Sequence, residues 1–434
     1  MAAPSRRPVT AERMRFGGLW RDADFLRLWA ALSVSLIGTE ITALALPLIA
    51  VLTLDASPFQ MGLLVAAGQA PFFLVSLPAG VWTDRMRRRP ILIATDLGSA
   101  LFLLSVPVAV TFGQLRFWQL CLVAFGVGTL GVLGEVAHYA YTPSLIGRGD
   151  LVAGNSKFQI SHSTAGSAGP GLAGLLIQVA SAPLAVLIDA VSFVISALLV
   201  HRIKTSEPPP TRSRRPEPLA REIGAGMKAL LGHPLLRPII LASMAANLCI
   251  NAVVALYLLY ATRELGLGPA TIGLIFAAGG IFAIPGALLA PWAARQVGVG
   301  PAIIGGWTLA ALAGLLVPLA TGPTVVIIAI LALARALDGV TATVANIHQW
   351  SLRQVVTPDH LQGRVTASHR FFVYGAGAFG ALLGGILGSA LGPRLALLIF
   401  ATGALLAPLW AVFSPVRHLR EQPAPASEAD PAVA

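Results

Sequence analysis

Twelve runs of about twenty residues, each nearly free of ionisable side chains, fill most of this 434-residue chain. A hydrocarbon core about 30 Å thick takes roughly 20 helical residues to cross. The runs have that length: approximately 25–53, 60–82, 90–112, 116–146, 156–180 and 183–201, then 236–261, 270–293, 300–320, 323–351, 362–391 and 394–414. Polarity does not alternate at every second residue within them, so strands are excluded and helices remain as the way to satisfy backbone groups in lipid. Only 11% of the residues are charged and 56% are hydrophobic, against about 25% charged in a soluble domain. The fold class expected is an all-α membrane protein with twelve transmembrane helices.

Orientation follows from the basic residues, which stay on the cytoplasmic side. Loops expected inside hold most of them: Arg6 to Arg27, Arg85 to Arg89, Arg148, the central loop, Arg295, Arg353, Arg364, Arg417 and Arg420. The other side offers Arg116, Arg263 and Arg394. Both termini are therefore expected in the cytoplasm. The net charge of +11 is spread between spans and does not line one face, which excludes a nucleic-acid partner. Cys121 and Cys249 fall inside apolar runs, so no disulfide framework is indicated. The first 24 residues hold arginines but no apolar core, so no cleavable signal peptide is expected before the first span.

The sequence also matches itself. Displaced by 211, Gly62 falls on Gly273, Leu63 on Leu274, Ala66 and Ala67 on Ala277 and Ala278, Gly68 on Gly279 and Pro90 on Pro301. A register of 210 places Leu172 on Leu382, Gly174 on Gly384 and Pro183 on Pro393. Two pseudo-symmetric six-helix bundles with a midplane site between them describe a rocking, alternating-access transporter. The expected organisation is an N-terminal segment at 1–24, bundles at 25–201 and 236–414, a linker at 202–235 and a tail at 415–434. In the linker, Leu219, Ile223, Met227, Leu230 and Leu231 recur at helical spacing. They predict either an amphipathic helix on the inner leaflet or a solvated connection.

Gly80 to Pro90 reads GVWTDRMRRRP, one acid among four arginines. Gly80, Asp84, Arg85, Arg88 and Arg89 stand where the major facilitator superfamily carries G-x-x-x-D-R-x-x-R-R or K between helices two and three. The chain resembles that superfamily from about Leu19 to Arg420, with Met86 at a place that is often glycine. GSAGPGLAGLL, with Gly166, Gly169, Pro170 and Gly174, is similar to the fifth-helix motif of proton-coupled exporters, although Ala173 and Gly174 replace the usual double glycine. With LVAGNSKFQISHSTAGSAGPGLAG, LIDAVSFVISALLV and LQGRVTASHRFFVYGAGAFGALLGG, the chain resembles the enterobactin-exporter-like and macrolide-efflux-like bacterial permeases. That resemblance implies the major facilitator fold in a bacterial inner membrane. It also implies export of a small, partly apolar molecule driven by proton entry.

In the 211 register Asp84 falls on Arg295 and Arg88 on Val299, so the second half is expected to keep the turn and Pro301 without the acid. Topological anchoring accounts for arginines in the first loop but not for Asp84. Asp84 is expected to face helix eleven as half of a cytoplasmic latch, held by that helix's N-terminal end, Arg364 or Arg370.

A charge at a helix centre costs about 2.5–3.5 kcal/mol on insertion scales, so each one needs a reason. Glu40 lies about 22 Å along the first helix, as a proton-coupling acid or as a solvated acid lining the cavity. Glu135 matches an acid usual in the resembling subgroup. His138, three residues on, shares its face, for a shared proton or a helix contact. Asp96 and Asp189 also match acids of the subgroup and suit inter-helix hydrogen bonding. Arg335 and Asp338 are spaced to neutralise each other, and a proton or substrate arriving at Asp338 would release the arginine. Arg370 has no acid within a turn and is expected to find its partner on helix two. Asn247 and Asn251 face one way in helix seven, with Tyr257 beyond, as inter-helix glue or cavity wall.

These observations point to a proton-coupled exporter of a small hydrophobic or amphipathic compound, expected to act as a monomer in contact with membrane lipid. An importer of the same architecture and a membrane enzyme or flippase acting on lipid-linked substrates are the rival readings. No P-loop and no metal-ligand spacing is present, so no cofactor and no catalytic residue is expected.

Overall fold

The computed structural model describes residues 18–147, 150–205, 207, 219–358 and 361–423; at 77, 80, 81, 84, 85, 219–223 and 225 it describes the backbone alone. Most of the expected N-terminal segment, part of the linker and half of the tail lie outside these residues. Among them every regular element is helical.

Asp22 opens the first helix, α1 (Ala23–Leu52), by accepting from the backbone N–H of Asp24 and of Phe25 at 2.9 and 3.1 Å. Ser57 and Gln60 form a reciprocal cap on α2 (Pro58–Leu74). Helix α3 (Ser76–Arg85) follows after a break at Val75. The break has a covalent cause: Pro78 has no N–H, and its ring is aimed at the carbonyl of Leu74, the last residue of α2. The first half continues with α4 (Arg88–Thr111), α5 (Phe117–Ile146), α6 (Leu151–Val179) and α7 (Ala182–His201). Helix α8 (Leu219–Gly232) lies in the linker. The second half comprises α9 (Leu236–Arg263), α10 (Pro269–Val297), α11 (Val299–Leu319), α12 (Thr324–Val356) and α13 (Gln362–Leu391). It closes with α14 (Pro393–Ala404) and α15 (Leu409–Val412), and here Pro408 ends α14 four residues upstream as Pro78 ends α2.

Among the described residues ten helical segments are long and apolar enough to cross a membrane, where twelve were expected. One shortfall is the span at 60–82, divided into α2 and α3. The other is α6, which is 29 residues long but carries Asn155, Lys157, Gln159 and His162 in its first half. Its polarity has a structural reason, because Gln159 and His162 face a cavity and not lipid.

Helix α1 packs on α6 and α7, and α4 on α5 and α7; α9 packs on α13 and α14, and α11 on α12 and α14. The second set is the first displaced by one repeat. Between the bundles, α2 lies against α13 and α10 against α6. Helix α8 runs through the linker, and its Leu230 is buried against the second bundle among Leu236, Ile239 and Val365.

The segment after α7 is tied to the first bundle. Lys204 and Thr205 donate backbone N–H to the Asp24 carboxylate at 3.1 and 2.8 Å. Glu207 accepts from the N–H of Arg88 and of Arg89 at 2.7 and 3.2 Å, capping the start of α4. In the second half the N–H groups of Val299 and Gly300, at the start of α11, instead donate to the carbonyls of Arg420 and Leu419. The two turns differ as well: Arg87 is extended, whereas Gly298 has φ +96. The expectation that the second loop repeats the first turn is therefore corrected, because different chain segments cap the two helices.

Candidate functional site

At the end of the molecule that carries the turn from α1 to α2 the bundles touch closely. A Cβ on Gly62 of α2 would stand 2.5 Å from the Ala381 carbonyl oxygen, and one on Gly385 of α13 would stand 2.9 Å from that of Pro58. On the other side a Cβ on Gly174 of α6 would lie 2.5 Å from the carbonyl oxygen of Pro269, and one on Gly273 of α10 2.8 Å from the Gly174 Cα. Gly62 and Gly273 are 211 apart, as are Gly174 and Gly385, so the two crossings are repeats of one contact. The 210 register expected for Gly174 is corrected to 211 here; 210 holds past the turn, where Pro183 and Pro393 stand in the first turns of α7 and α14. Gly166, Gly169 and Gly174 correspond to Gly377, Gly380 and Gly385, with Ala381 in place of Pro170. The fifth-helix motif is thus one wall of this closure, and its Gly169 leaves room for the Glu40 side chain. Arg263 of the second bundle reaches Asp55 of the first at 2.5 Å over the same end.

Towards the other end the bundles part around a cavity of about 750 Å³. From the first bundle it is lined by Glu135 and Tyr139 of α5 and by Gln159 and His162 of α6. From the second it is lined by Asn247 and Tyr257 of α9, Trp307 of α11, Arg335 to Arg353 along one face of α12, and Thr366 to Tyr374 of α13. The α12 face runs Arg335, Asp338, Ala342, Asn346, Gln349, Arg353 at steps of three and four, which puts all six on one side. Exposed Trp350 and Gln354 mark the mouth, at the end where α12 finishes.

Among the described residues the bundles are joined across the cavity by one ion pair: Arg370 donates from Nη2 to Glu135 Oε1 at 2.8 Å, α13 to α5. Arg370 was expected to pair with helix two. It meets α5 instead, because α2 is occupied against α13 by the glycine contact nearer the closed end. Displacing the pair by 211 turns Glu135 into Asn346 and Arg370 into Gln159, both of which also line the cavity. The ionic contact therefore exists on one side of the pseudo-symmetry axis and faces an amide pair on the other.

Glu135 and His138 do not pair. The His138 ring packs edge-on against Phe158 at 4.8 Å, inside the first bundle. Glu40 makes no hydrogen bond or ion pair with a described residue and does not line the cavity. Arg335 and Asp338 are joined at 3.2 Å, with the guanidinium over the Phe276 ring. Asn251 accepts from Gln69 Nε2 at 2.7 Å and binds α2 to α9, while Asn247 faces the cavity. Asp96 accepts from Ser196 at 2.7 Å, and Asp189 from Ser192 and Thr42, each inside the first bundle.

Of the expected latch, the side chains of Asp84 and Arg85 and the surroundings of Gly80 lie outside what is described. Helix α3, which carries them, touches α13. Arg88 and Arg89 face the other way: Arg88 reaches Glu207, and Arg89 donates to the carbonyls of Val200 and His201. They hold the end of α7, not helix eleven. Arg364 is on α13, where its carbonyl lies against Gly226 of α8.

Tyr139, Gln159, His162, Gln349, His369 and Tyr374 were not singled out in the sequence, and Arg353 was read as a loop arginine, yet all line the cavity, Arg353 from the last turns of α12. Two signals were available: the one-sided polar stripe on α12, and the coincidence of polar residues with polar residues at 211.

A family model described as Major Facilitator Superfamily matches residues 28–381. The multidrug efflux pump Tap of Mycolicibacterium fortuitum is 28% identical over 412 residues, 91% of this chain and 96% of that protein. The enterobactin exporter EntS of Escherichia coli (strain K12) is 24% identical over 417 residues, 94% of this chain and 95% of that one. Among solved structures, a bacterial homologue of the iron transporter ferroportin in its inward-facing state aligns with a TM-score of 0.69 at 17% identity, covering 90% of this chain and 98% of that one. Its outward-facing state covers the same shares at the same identity with a TM-score of 0.55.

Proposed function

This chain belongs to the major facilitator superfamily, and from that premise we propose that it exports a small hydrophobic or amphipathic compound from a bacterial cytoplasm in exchange for protons. The bundles at 25–201 and 236–414 rock about the cavity, and the open mouth faces the cytoplasm, on the side where the basic loops gather. The efflux activity named for both relatives supports the outward direction.

The observation that carries the coupling is the Glu135–Arg370 pair. Among the described residues it is the ion pair that joins the two bundles beside the cavity, so it must break or reform as the bundles move. A proton on Glu135 removes its charge and frees Arg370, which links proton binding to bundle movement. Glu40, His138 and Asp338 are subsidiary candidates for proton transfer, and Asp84 with Arg364 for closure of the cytoplasmic end.

The test is dye movement in proteoliposomes under an imposed pH gradient, with proton flux recorded on the same vesicles. Wild type should concentrate a dye against its gradient, and Glu135→Gln should lose that accumulation by tenfold or more while still binding the dye. Equal accumulation by both proteins, with or without the pH gradient, would refute proton exchange at Glu135.

A further inference from the structure

The cavity's charges do not balance. Its acids are both taken: Glu135 by Arg370 at 2.8 Å and Asp338 by Arg335 at 3.2 Å. The third arginine in the lining, Arg353, makes no hydrogen bond or ion pair with a described residue, and its Nη1 is buried without an acceptor. Arg335 Nε is buried and unpartnered in the same lining. A guanidinium stays charged at every relevant pH and has five donors and no acceptor. A buried one with empty donors is destabilising until an acceptor arrives, and an anion satisfies it best because the hydrogen bonds are then charge-assisted.

We propose that the transported compound is an organic anion with an apolar or aromatic body, its anionic group held by Arg353. The inference deepens the transport reading above and rests on it for the use of this cavity. Position supports it as well as charge. Arg353 stands on the cavity face of α12, one turn from Gln349 and close to Trp350 at the mouth, so an anion entering from the open end meets it first. Farther in, Trp307, Tyr257 and Tyr374 offer aromatic surface for the body of the molecule. A cation would be held apart from Glu135 and Asp338 by the arginines already bound to them. The volume of about 750 Å³ is that of an ordinary small-molecule site.

The experiment uses the full-length protein purified in detergent and three pyrene probes with the same four-carbon chain, ending in a carboxylate, an alcohol or an ammonium. Binding is read by energy transfer from tryptophan to pyrene. Wild type should bind the carboxylate at least about tenfold more tightly than the alcohol, the worth of one charge-assisted hydrogen bond. Arg353→Gln should bring that ratio to about one, and Arg353→Lys should keep most of it. Both variants are checked for a monodisperse elution profile, and the alcohol serves as the internal control for an intact cavity. Equal binding of the three probes by wild type overturns the proposal, as does a carboxylate preference that survives in Arg353→Gln. A proteoliposome arm separates the two readings. A carboxylate preference in binding without movement of any probe sinks transport and leaves the anion site; movement of the probes without the preference does the reverse.

Discussion

Asp55 turns the chain between α1 and α2 with φ +50, in the left-handed region, and its counterpart 211 residues on is Gly266 at φ +64. Glycine adopts that conformation freely, whereas another residue is disfavoured there by on the order of 1 kcal/mol. The aspartate is retained in the first half alone, where its carboxylate meets Arg263 of the other bundle. That pair is exposed, so its contribution to stability is at most about 1 kcal/mol. Asp55→Gly relieves the backbone and removes the pair together, and thermal unfolding in detergent should stay within about 1 kcal/mol of wild type. Asp55→Ala keeps the strained turn and loses the pair, and should be the less stable of the two by about 1 kcal/mol. The reverse order of the two variants would rule out the turn as the source of strain. Sequence alone could put Asp55 and Arg263 on one side of the membrane, but pairing across 208 residues is set by how the bundles meet. Glu135 carries the same lesson: its burial cost was evident from its position in an apolar run, and its partner was not.

Among the elements, the prolines that end helices act by a local rule, although the runs at 60–82 and 394–414 were each read as one unbroken span. Pro78 and Pro408 each remove a donor and press on the carbonyl four residues back, at Leu74 and Ala404, where α2 and α14 stop. Pro47, Pro143 and Pro170 sit inside unbroken helices, where tertiary neighbours accommodate the lost hydrogen bond. The glycines of α2, α6, α10 and α13 are a different case, since their role depends on another helix lying at backbone distance. A leucine at position 273 would overpack that crossing, at about 1–3 kcal/mol, which shifts the balance between closed and open states by about five- to 150-fold. Gly273→Leu should therefore open the far end. A membrane-impermeant maleimide added from that side should alkylate Asn247→Cys faster in this background, with Cys121→Ser and Cys249→Ser removing both native thiols. Gly62→Leu, its repeat equivalent, should do the same; labelling unchanged in both would show that the crossing does not close the cavity. At the other end Arg88 and Arg89 have become a clamp on the segment after α7, with Glu207 as its centre. Their basic character was plain from GVWTDRMRRRP, but the acid they hold lies 119 residues away from Arg88.

At the scale of the whole molecule, two bundles joined by glycine crossings at one end and parted at the other should move as reciprocal bodies. Spin labels at Gln114 and Thr321, on the far side of each bundle, and at Ser156 and Gln354, towards the open side, read the two ends separately. In lipid nanodiscs the Ser156–Gln354 distances should shorten in the fraction of molecules in which the Gln114–Thr321 distances lengthen. Movement at one end with none at the other would contradict a rocking mechanism. The sequence by itself determined that the chain is helical, that it lives in a membrane, that it is built twice over and that its acids and bases are too few to be incidental. These properties are set by local free energies: apolar runs of spanning length, backbone groups that lipid leaves unsatisfied, and charge retained at one face. The tertiary structure alone decided that Arg370 meets Glu135, that Asn251 is glue while Asn247 is wall, and that Arg353 has no acid paired with it among the described residues. Helix periodicity specifies which face a residue occupies on its own helix. Which other helix stands opposite, and at what height, depends on the packing of all the helices together.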